Sequence, residues 1–318
     1  MEAEVVSHSQ PSGFELPFIS VVVPVYNGRS VISLCIEALL AQDYPTDRRE
    51  IIVVDNNSTD GTGDIVAGYP VTLLFERDIQ TSYAARNRGL LQARGDIVAF
   101  TDADCLPRSD WLSQLATIFV GLDIVGVAGE VKPAQTEGLI GRFFAESNPV
   151  RSRKINGLWY VITANAAYRR HTLLELGGFR SELFTAGDID LSIRLQLGGY
   201  GQIEAAPEAV VIHTYGDSWG EIWSRYRRYG YSEVLMIQLL SRQHDTGIPA
   251  TNQIRVMRKQ LRALVTYFLS FLWRLLKLPI CGWETEYNFR PLLLIVAESA
   301  NIWGKLMGFR NNRVWETN

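Results

Sequence analysis

Four apolar runs in the first third of the chain show no polar alternation, and each ends on polar residues. They are "FISVVVPVYN" (18–27), "EIIVVDNNSTDGT" (50–62), "VTLLFE" (71–76) and "DIVAFTDAD" (96–104). A strand that is apolar at every position must be covered on both faces. Segments with helical apolar spacing lie between and after them: "SVISLCIEALLAQ" (30–42), "TSYAARNRGLLQARG" (81–95) and "SDWLSQLATIFV" (109–120). The alternation predicts βαβ units and a mostly parallel sheet flanked by helices, an α/β fold. Asp60 or Thr59 is expected to cap a short helix ending near Ala67, Gly95 to close the 81–95 helix, and Ser109 or Asp110 to open the next.

In such sheets, ligands collect at the carboxyl ends of the strands. The polar residues stand there: Asn27 after the first run, Asp55 and Asn57 after the second, Asp102 and Asp104 after the fourth. Hydrophobic packing does not require that placement. Further on, "IVGVAGEV" (124–131) and "WYVITANAAYRR" (159–170) read as strands, "NPVRSRKING" (148–157) as a mobile basic loop, and "QIEAAPEAVVIH" (202–213) as a strand pair.

With 318 residues, 47% of them hydrophobic, the chain can build one large core and an appended piece. Its three cysteines are far apart, with neither zinc-ligand nor redox-motif spacing, which suits a reducing compartment. Residues 1–17 are acidic and polar, without the basic and apolar regions of a signal peptide, and read as a flexible tail. The net charge of −3 divides into −11 before residue 222 and +8 from there on. This asymmetry points to two surfaces with different partners. In "LRALVTYFLSFLWRLLKLPI", Arg262, Thr266, Ser270, Arg274 and Lys277 form one narrow polar stripe on an otherwise apolar helix. "PLLLIVAESANIWGKLMGF" (291–309) repeats the pattern with Glu298, Asn301 and Lys305. Neither uncharged run is long enough to span a bilayer. Both read as helices lying in a membrane interface or packed as a re-entrant pair, with "RVMRK" supplying cations for anionic headgroups; the alternative is a helical subdomain packed on the core.

Two carboxylates at i and i+2 of an extended segment project to one side. Asp102 and Asp104 can then share a hard divalent cation with phosphate oxygens. Taken alone, the pair also suits a turn and a helix cap. A strand-terminal Asp55 can accept from a ribose or base edge, or simply form a turn. Of Arg86 and Arg88, one is expected to be a solvated helix charge. Asp188 and Asp190 precede an apolar helical pattern: one can cap, Asp190 can pair with Arg194, and the remaining carboxylate is available for proton transfer. His213 ends an apolar strand, where it can complete a metal shell or serve packing alone. Trp219, Trp223 and Tyr226 stand at helical spacing, which suits core packing, and the interleaved Arg225, Arg227 and Arg228 can hold a diphosphate or lipid headgroup.

Taken together, "ISVVVPVYNG", "IIVVDNNSTDGT", "AARNRGLLQARGDIVAFTDADC", "TANAAYRR…GGF" and "GDIDLSIRLQLGGY" resemble the family 2 glycosyltransferases over residues 18–230. The resemblance implies a GT-A, Rossmann-like fold and inverting transfer. It also implies that Pro24, Tyr26 and Asn27 line a nucleotide pocket, that Asp55 contacts the base or ribose beside Asn57, and that Arg86 lies near the donor. Asp102 and Asp104 match the metal-binding D-x-D motif, His213 a histidine some relatives use as a ligand, and Asp188 the aspartate of the family's Glu-Asp signature, the general base. The glutamate position is Gly187, so that signature is incomplete. Asn165, Asp190, Arg227 and Arg228 are candidate acceptor or diphosphate contacts.

The expectation is a catalytic domain over 18–235 and a basic, membrane-associated helical segment over 236–318. The activity expected is Mn²⁺- or Mg²⁺-dependent transfer from a nucleotide-diphosphate sugar to a glycan or lipid-linked acceptor. It is expected at an anionic membrane surface, on the cytoplasmic face, with no nucleic-acid partner. Nucleotidyl transfer is a weaker reading, because "PVYNGRS" is a poor match to the glycine- and arginine-rich loop such enzymes carry. A catalytically weak, membrane-bound nucleotide-sugar sensor is the non-enzymatic alternative.

Overall fold

Each of the four apolar runs becomes a strand that feeds two cores at once. The computed structural model describes residues 16–121, 123–135, 138–147, 150–243, 251–281 and 285–311. The expected N-terminal tail therefore lies almost wholly outside the described residues. Strands β1 (Ile19–Val25), β2 (Arg49–Asp55), β3 (Thr72–Phe75) and β4 (Ile97–Thr101) alternate with helices α1 (Ile32–Leu40), α2 (Thr62–Ala67) and α3 (Ser82–Gln92). Along β1, Val21 and Val23 face one apolar cluster while Val22 faces the other. Ile51 and Val53 against Ile52 and Val54 repeat this on β2, and Ile97 and Ala99 against Val98 and Phe100 on β4. Two covered faces are why these strands are apolar along most of their length; Ser20, buried in β1, donates to Glu50 at 2.6 Å.

The remaining elements are β5 (Cys105–Pro107), α4 (Trp111–Ile118), β6 (Ile124–Pro133), α5 (Leu139–Ser147), β7 (Arg153–Ile155), β8 (Leu158–Tyr160), β9 (Asn165–Arg169), α6 (Arg170–Glu175), α7 (Gly187–Leu197), β10 (Gln202–His213), α8 (Trp219–Gln243), α9 (Thr251–Cys281) and α10 (Thr285–Asn311). Eight strands form one sheet in the order β3-β2-β1-β4-β9-β6-β10-β5. β9 pairs antiparallel with β4 and β6, and β5 pairs antiparallel with β10. The other six strands run one way, so their carboxyl ends share an edge. The register His213↔Cys105 brings the end of β10 against the start of β5, just after Asp104.

Several local expectations are corrected. The fourth strand stops at Thr101, and Asp102 to Asp104 form a tight turn closed by Cys105 N donating to Asp102 O at 3.1 Å. The two carboxylates are therefore not side by side on an extended strand. Residues 153–160 form a hairpin, β7–β8, where a basic loop was expected. Its Asn156–Gly157 tip has φ of +50° and +84°, the left-handed pair that two-residue hairpin turns require. Residues 202–213 make one strand with a register shift between Ala206 and Val210. Gly95 does not cap α3. A Cβ there would lie 2.6 Å from Ser20 N, so glycine admits a close backbone approach. Neither Ser109 nor Asp110 caps α4 through its side chain. Asp110 binds Arg108, and Gln42 Oε1 accepts from Leu112 N at 3.0 Å instead.

Helices α8, α9 and α10 pack as a bundle beside the sheet. α8 runs unbroken through residue 235, where a domain boundary was expected, because it packs on the sheet domain along its length, through Ile222, Leu235 and Met236, while also meeting α10. At Gly230 and Gly304 the two helix backbones touch: a Cβ on Gly230 would lie 1.9 Å from Asn301 O. The polar stripe expected to face headgroups on α10 turns inward. Lys305, fully buried, donates to Glu233 at 2.8 Å and to Gln260 at 3.0 Å. Gln260 in turn donates to Glu298 at 2.7 Å and to Asn301 at 2.9 Å. These groups satisfy one another inside the bundle, which is what burial demands of them. Phe289–Arg310 is long and apolar enough to cross a membrane, yet nearly half of it is buried against the protein. α9 differs. Its Leu261, Val265, Phe268, Leu269 and Trp273 are each more than half exposed.

Candidate active site

The loops at the parallel edge clasp one another before any ligand is considered. Asn27, in a left-handed conformation (φ +49°), accepts from Thr59 N through Oδ1 at 2.9 Å, and its own N–H donates to Ser58 Oγ at 2.9 Å. Asp55 is buried, and its Oδ1 accepts from Ser58 N at 2.8 Å. Asn56 reaches across to the carbonyls of Glu76 and Ile79. The sheet register sets Val25, Asp55 and Phe75 side by side at the edge. Arg77 stacks over Phe75 at 4.9 Å. Pro24 is buried within β1, while Tyr26 is 54% exposed and stands over the edge; Asn57, also left-handed (φ +69°), forms the exposed loop tip. The ends of these strands thus bring a buried carboxylate, Asp55, and two exposed rings, Tyr26 and Phe75, to the same edge.

Beside it lies the acidic turn. Asp102 accepts from Arg86 Nη2 at 2.5 Å, and Arg86 is 4% exposed. Asp104 lies 3.5 Å from His213 Nε2. So the two aspartates of the D-x-D have different partners: one is neutralised by arginine and the other faces an imidazole. Burial holds His213 below its usual range, with Asp104 opposing, which favours the neutral ring that can donate a lone pair. Burial holds the Asp104 carboxyl above its usual range, while His213 opposes and Asp102 adds to it. His213 Nδ1 is buried with no hydrogen-bond partner. Asp104, Cys105 and His213 offer ligand atoms that all lie within 4.8 Å of one another. Oxygen and imidazole donors on one point fit a divalent cation, which would take the Nε2 that faces Asp104.

Asp188 opens α7 and is 8% exposed. Its Oδ1 accepts from Tyr83 Oη at 3.2 Å and from Ile189 N at 3.0 Å; its Oδ2 accepts from Thr163 N at 3.3 Å. Burial raises its pKa above the ordinary carboxylate value, Arg86 and the two backbone amides oppose, and Asp102 adds to the rise. A carboxylate whose proton affinity has been raised is a better base near neutral pH. Asp190 is placed otherwise. It is 2% exposed, with Arg180 on Oδ1 at 2.9 Å and Arg194 on Oδ2 at 2.8 Å. Both oxygens are neutralised, so Asp190 anchors α7.

Asp55, Arg86, Asp102, Asp104, Asp188 and His213 thus gather along one edge of the sheet. Asn165 does not join them. It is fully buried, accepts from Trp111 Nε1 at 2.8 Å, and donates to the carbonyls of Glu130 and Ala209 at 2.8 Å each. Arg227 and Arg228 lie exposed on α8. Between the site and α8 stands Arg225, 7% exposed, stacked on Phe144 and Tyr215 and bound to Glu221. Tyr215 lies 4.5 Å from the His213 ring. Sequence reasoning passed over Tyr83, Thr163 and Phe75 as site residues. Phe75 was findable, since it ends the third apolar run as Asp55 ends the second. Tyr83 and Thr163 carry no signal, because their contacts with Asp188 span 105 and 25 residues.

Residues 20–175 match the family model described as glycosyl transferase family 2. Over 226 residues the chain is 31% identical to glycosyltransferase AglE of Haloferax volcanii, covering 69% of this chain and 74% of that protein. Over 237 residues it is 28% identical to the beta-monoglucosyldiacylglycerol synthase of a Nostoc species, covering 67% of this chain and 50% of that one. The chain therefore spans only half the length of the latter relative. Among solved structures, the mannosyltransferase PcManGT of Pyrobaculum calidifontis, in complex with GDP-Man and Mn²⁺, matches with a TM-score of 0.57 at 22% identity, covering 92% of this chain and 88% of that one. Residues 1–349 of TarS from S. aureus, in complex with UDP-GlcNAc, match with a TM-score of 0.51 at 18% identity, covering 93% and 92%. At these identities the structural likeness establishes the fold, GT-A.

Proposed function

This chain belongs to glycosyl transferase family 2, and we propose on that premise that it moves a sugar, with inversion, from a nucleotide-diphosphate sugar to an acceptor hydroxyl. The observation that carries the reading is the gathering of three differently tuned carboxylates at one sheet edge. Asp102 is neutralised by Arg86, Asp104 faces His213, and Asp188 is buried with raised proton affinity. Structural packing has no use for such a set.

The base and ribose of the donor rest against Asp55, Tyr26 and Phe75, with Asn27 and Asn57 fixing the loops. Asp104 and His213, with Asp102 beside them, would hold Mn²⁺ or Mg²⁺. When bound, that cation supplies positive charge to the donor diphosphate as it leaves. Arg86 contributes fixed charge from the protein side, aimed by its bond to Asp102. Asp188 takes the proton from the acceptor hydroxyl, and that oxygen attacks the anomeric carbon opposite the departing diphosphate. Thr163 N, Ile189 N and Tyr83 Oη hold the carboxylate for this step.

The acceptor in this reading is a glycan or a lipid-linked molecule at an anionic membrane surface. Support comes from α9, whose exposed apolar residues run along one side with Arg258, Lys259 and Arg262 at one end. An amphipathic helix of that kind lies in an interface. Free Cys35 and Cys105 suit the reducing, cytoplasmic side.

The test is a panel of nucleotide-diphosphate sugars with purified protein and Mn²⁺, followed for release of nucleoside diphosphate. Asp188→Asn is expected to stop release while leaving donor binding nearly intact. Pyrophosphate as the product, or full turnover by Asp188→Asn, overturns the reading.

A further inference from the structure

Residue 187, immediately ahead of the proposed base, is glycine, and its neighbour shows why. A Cβ built there would lie 2.8–2.9 Å from three ring carbons of Tyr83, well inside the repulsive range for two carbons. The ring is not free to yield. Tyr83 is 6% exposed, stacks on Phe179 at 5.8 Å, and has the Arg86 guanidinium 5.4 Å from its centroid. That ring delivers its hydroxyl to Asp188 Oδ1 at 3.2 Å. Ala186, which precedes α7, has a left-handed backbone and no side-chain cap to offer. The phenol, reaching over from α3, gives its proton to the carboxylate in the first turn of α7.

Helix α3 is fastened to the segment that carries the base. Thr81 Oγ1 donates to Ser181 O at 2.6 Å, Asn87 Nδ2 donates to Phe179 O at 2.7 Å, and Phe179 N donates to Asn87 Oδ1 at 2.9 Å. Tyr83 and Asp188 thus keep a fixed relation although 105 residues separate them.

We propose that Tyr83 is a positioning residue that takes over the place of an acidic side chain at 187. Its ring excludes any side chain there, and its hydroxyl fixes the rotamer of Asp188. This rests on the reading of Asp188 as general base. The titratable and charged groups facing that carboxylate are Arg86 and Tyr83 of α3, Asp102 of the acidic turn and Tyr168 of β9. Removing the Tyr83 hydroxyl removes one donor that favours the ionised form, so the proton is held more tightly.

The experiment compares Tyr83→Phe, Gly187→Glu and the double variant Tyr83→Ala/Gly187→Glu by nucleoside diphosphate release across pH, with thermal melts alongside. Tyr83→Phe is expected to lower kcat by roughly tenfold or more with donor KM unchanged, and to move the acid limb of kcat/KM to higher pH. Gly187→Glu is expected to be nearly inactive, and the double variant to exceed it by about tenfold because the added side chain then has room. Tyr83→Phe with the parental kcat and pH profile overturns the inference, even if Gly187→Glu does not fold. A double variant no better than Gly187→Glu overturns the exchange of places. If Asp188→Asn turns over normally, it is the base assignment that fails; if Asp188→Asn is dead while Tyr83→Phe is silent, only the present inference fails.

Discussion

Asn165 separates a structural role from a ligand-binding one by a single substitution. Its side chain holds three partners from three elements: the Trp111 indole on α4, the Glu130 carbonyl on β6 and the Ala209 carbonyl at the irregular stretch of β10. Leucine keeps the branched outline of asparagine but is larger, so Asn165→Leu removes the polar contacts and adds crowding of the same sign. One buried donor and two buried acceptors lose their partners. Each orphaned group costs about 1–3 kcal/mol, with carbonyls at the low end, which totals about 4 kcal/mol. For a chain of this size, 1 kcal/mol moves the midpoint by roughly 2–4 °C, so the melting temperature is expected to fall by roughly 8–16 °C. The assay pairs thermal unfolding by circular dichroism with donor binding by calorimetry, both below the variant's midpoint. The expected result is a large loss of stability and unchanged donor affinity. A melt within about 2 °C of the parent, together with lost donor or acceptor binding, would refute the argument and return Asn165 to the ligand site.

Three further outcomes follow from the same geometry. Burial raises the Asp188 pKa in the folded protein. The carboxyl's contribution is therefore complete below its unfolded value and lost as pH rises through the raised folded one; Asp188→Asn should gain stability relative to the parent as pH rises above about 4, and a difference in urea midpoint that is flat with pH refutes this. Asp104→Asn or His213→Gln should weaken metal-dependent donor binding at least tenfold, about 1.4 kcal/mol, with metal-free affinity little changed; calorimetry with and without Mn²⁺ decides it, and equal losses in both would count against the pair as ligands. Val265→Glu with Phe268→Glu, at residues 60% and 53% exposed, should leave the melt unchanged and reduce flotation with anionic vesicles. Burial of two such side chains is worth roughly 3 kcal/mol, and unaltered flotation would remove α9 as the docking element.

The sheet was legible in the sequence because unbroken apolar strands and helical spacing carry local information, and local pattern alone puts Asp55, Asp102 and His213 at strand ends. Other features were legible but misread. Asn156–Gly157 between Ile155 and Leu158 is a hairpin signal in itself, hidden by the charge of the surrounding arginines and lysine. What local pattern cannot supply is which side of a helix meets which neighbour. Glu298, Asn301 and Lys305 form a polar stripe on α10 whether that stripe meets lipid headgroups or Gln260 and Glu233. Periodicity gives the stripe and packing gives its partner. The same limit applies to Asp188 and Asp190, two residues apart, where only the arriving arginines distinguish a base from an anchor.

The contact at Gly230 and Gly304 has a mechanical consequence. α8 is a single rod of 25 residues, roughly 37 Å long at 1.5 Å per residue. Near its start it carries Arg225, stacked on the aromatic rings behind His213, and from Arg227 to Val234 it lies against α10, with no side chain between the backbones at Gly230 and Gly304. The helical bundle is therefore not a removable tether. Cutting the chain after α8 would strip the groove that Gly230 leaves open for Asn301 and expose Val234, on which Gly308 rests.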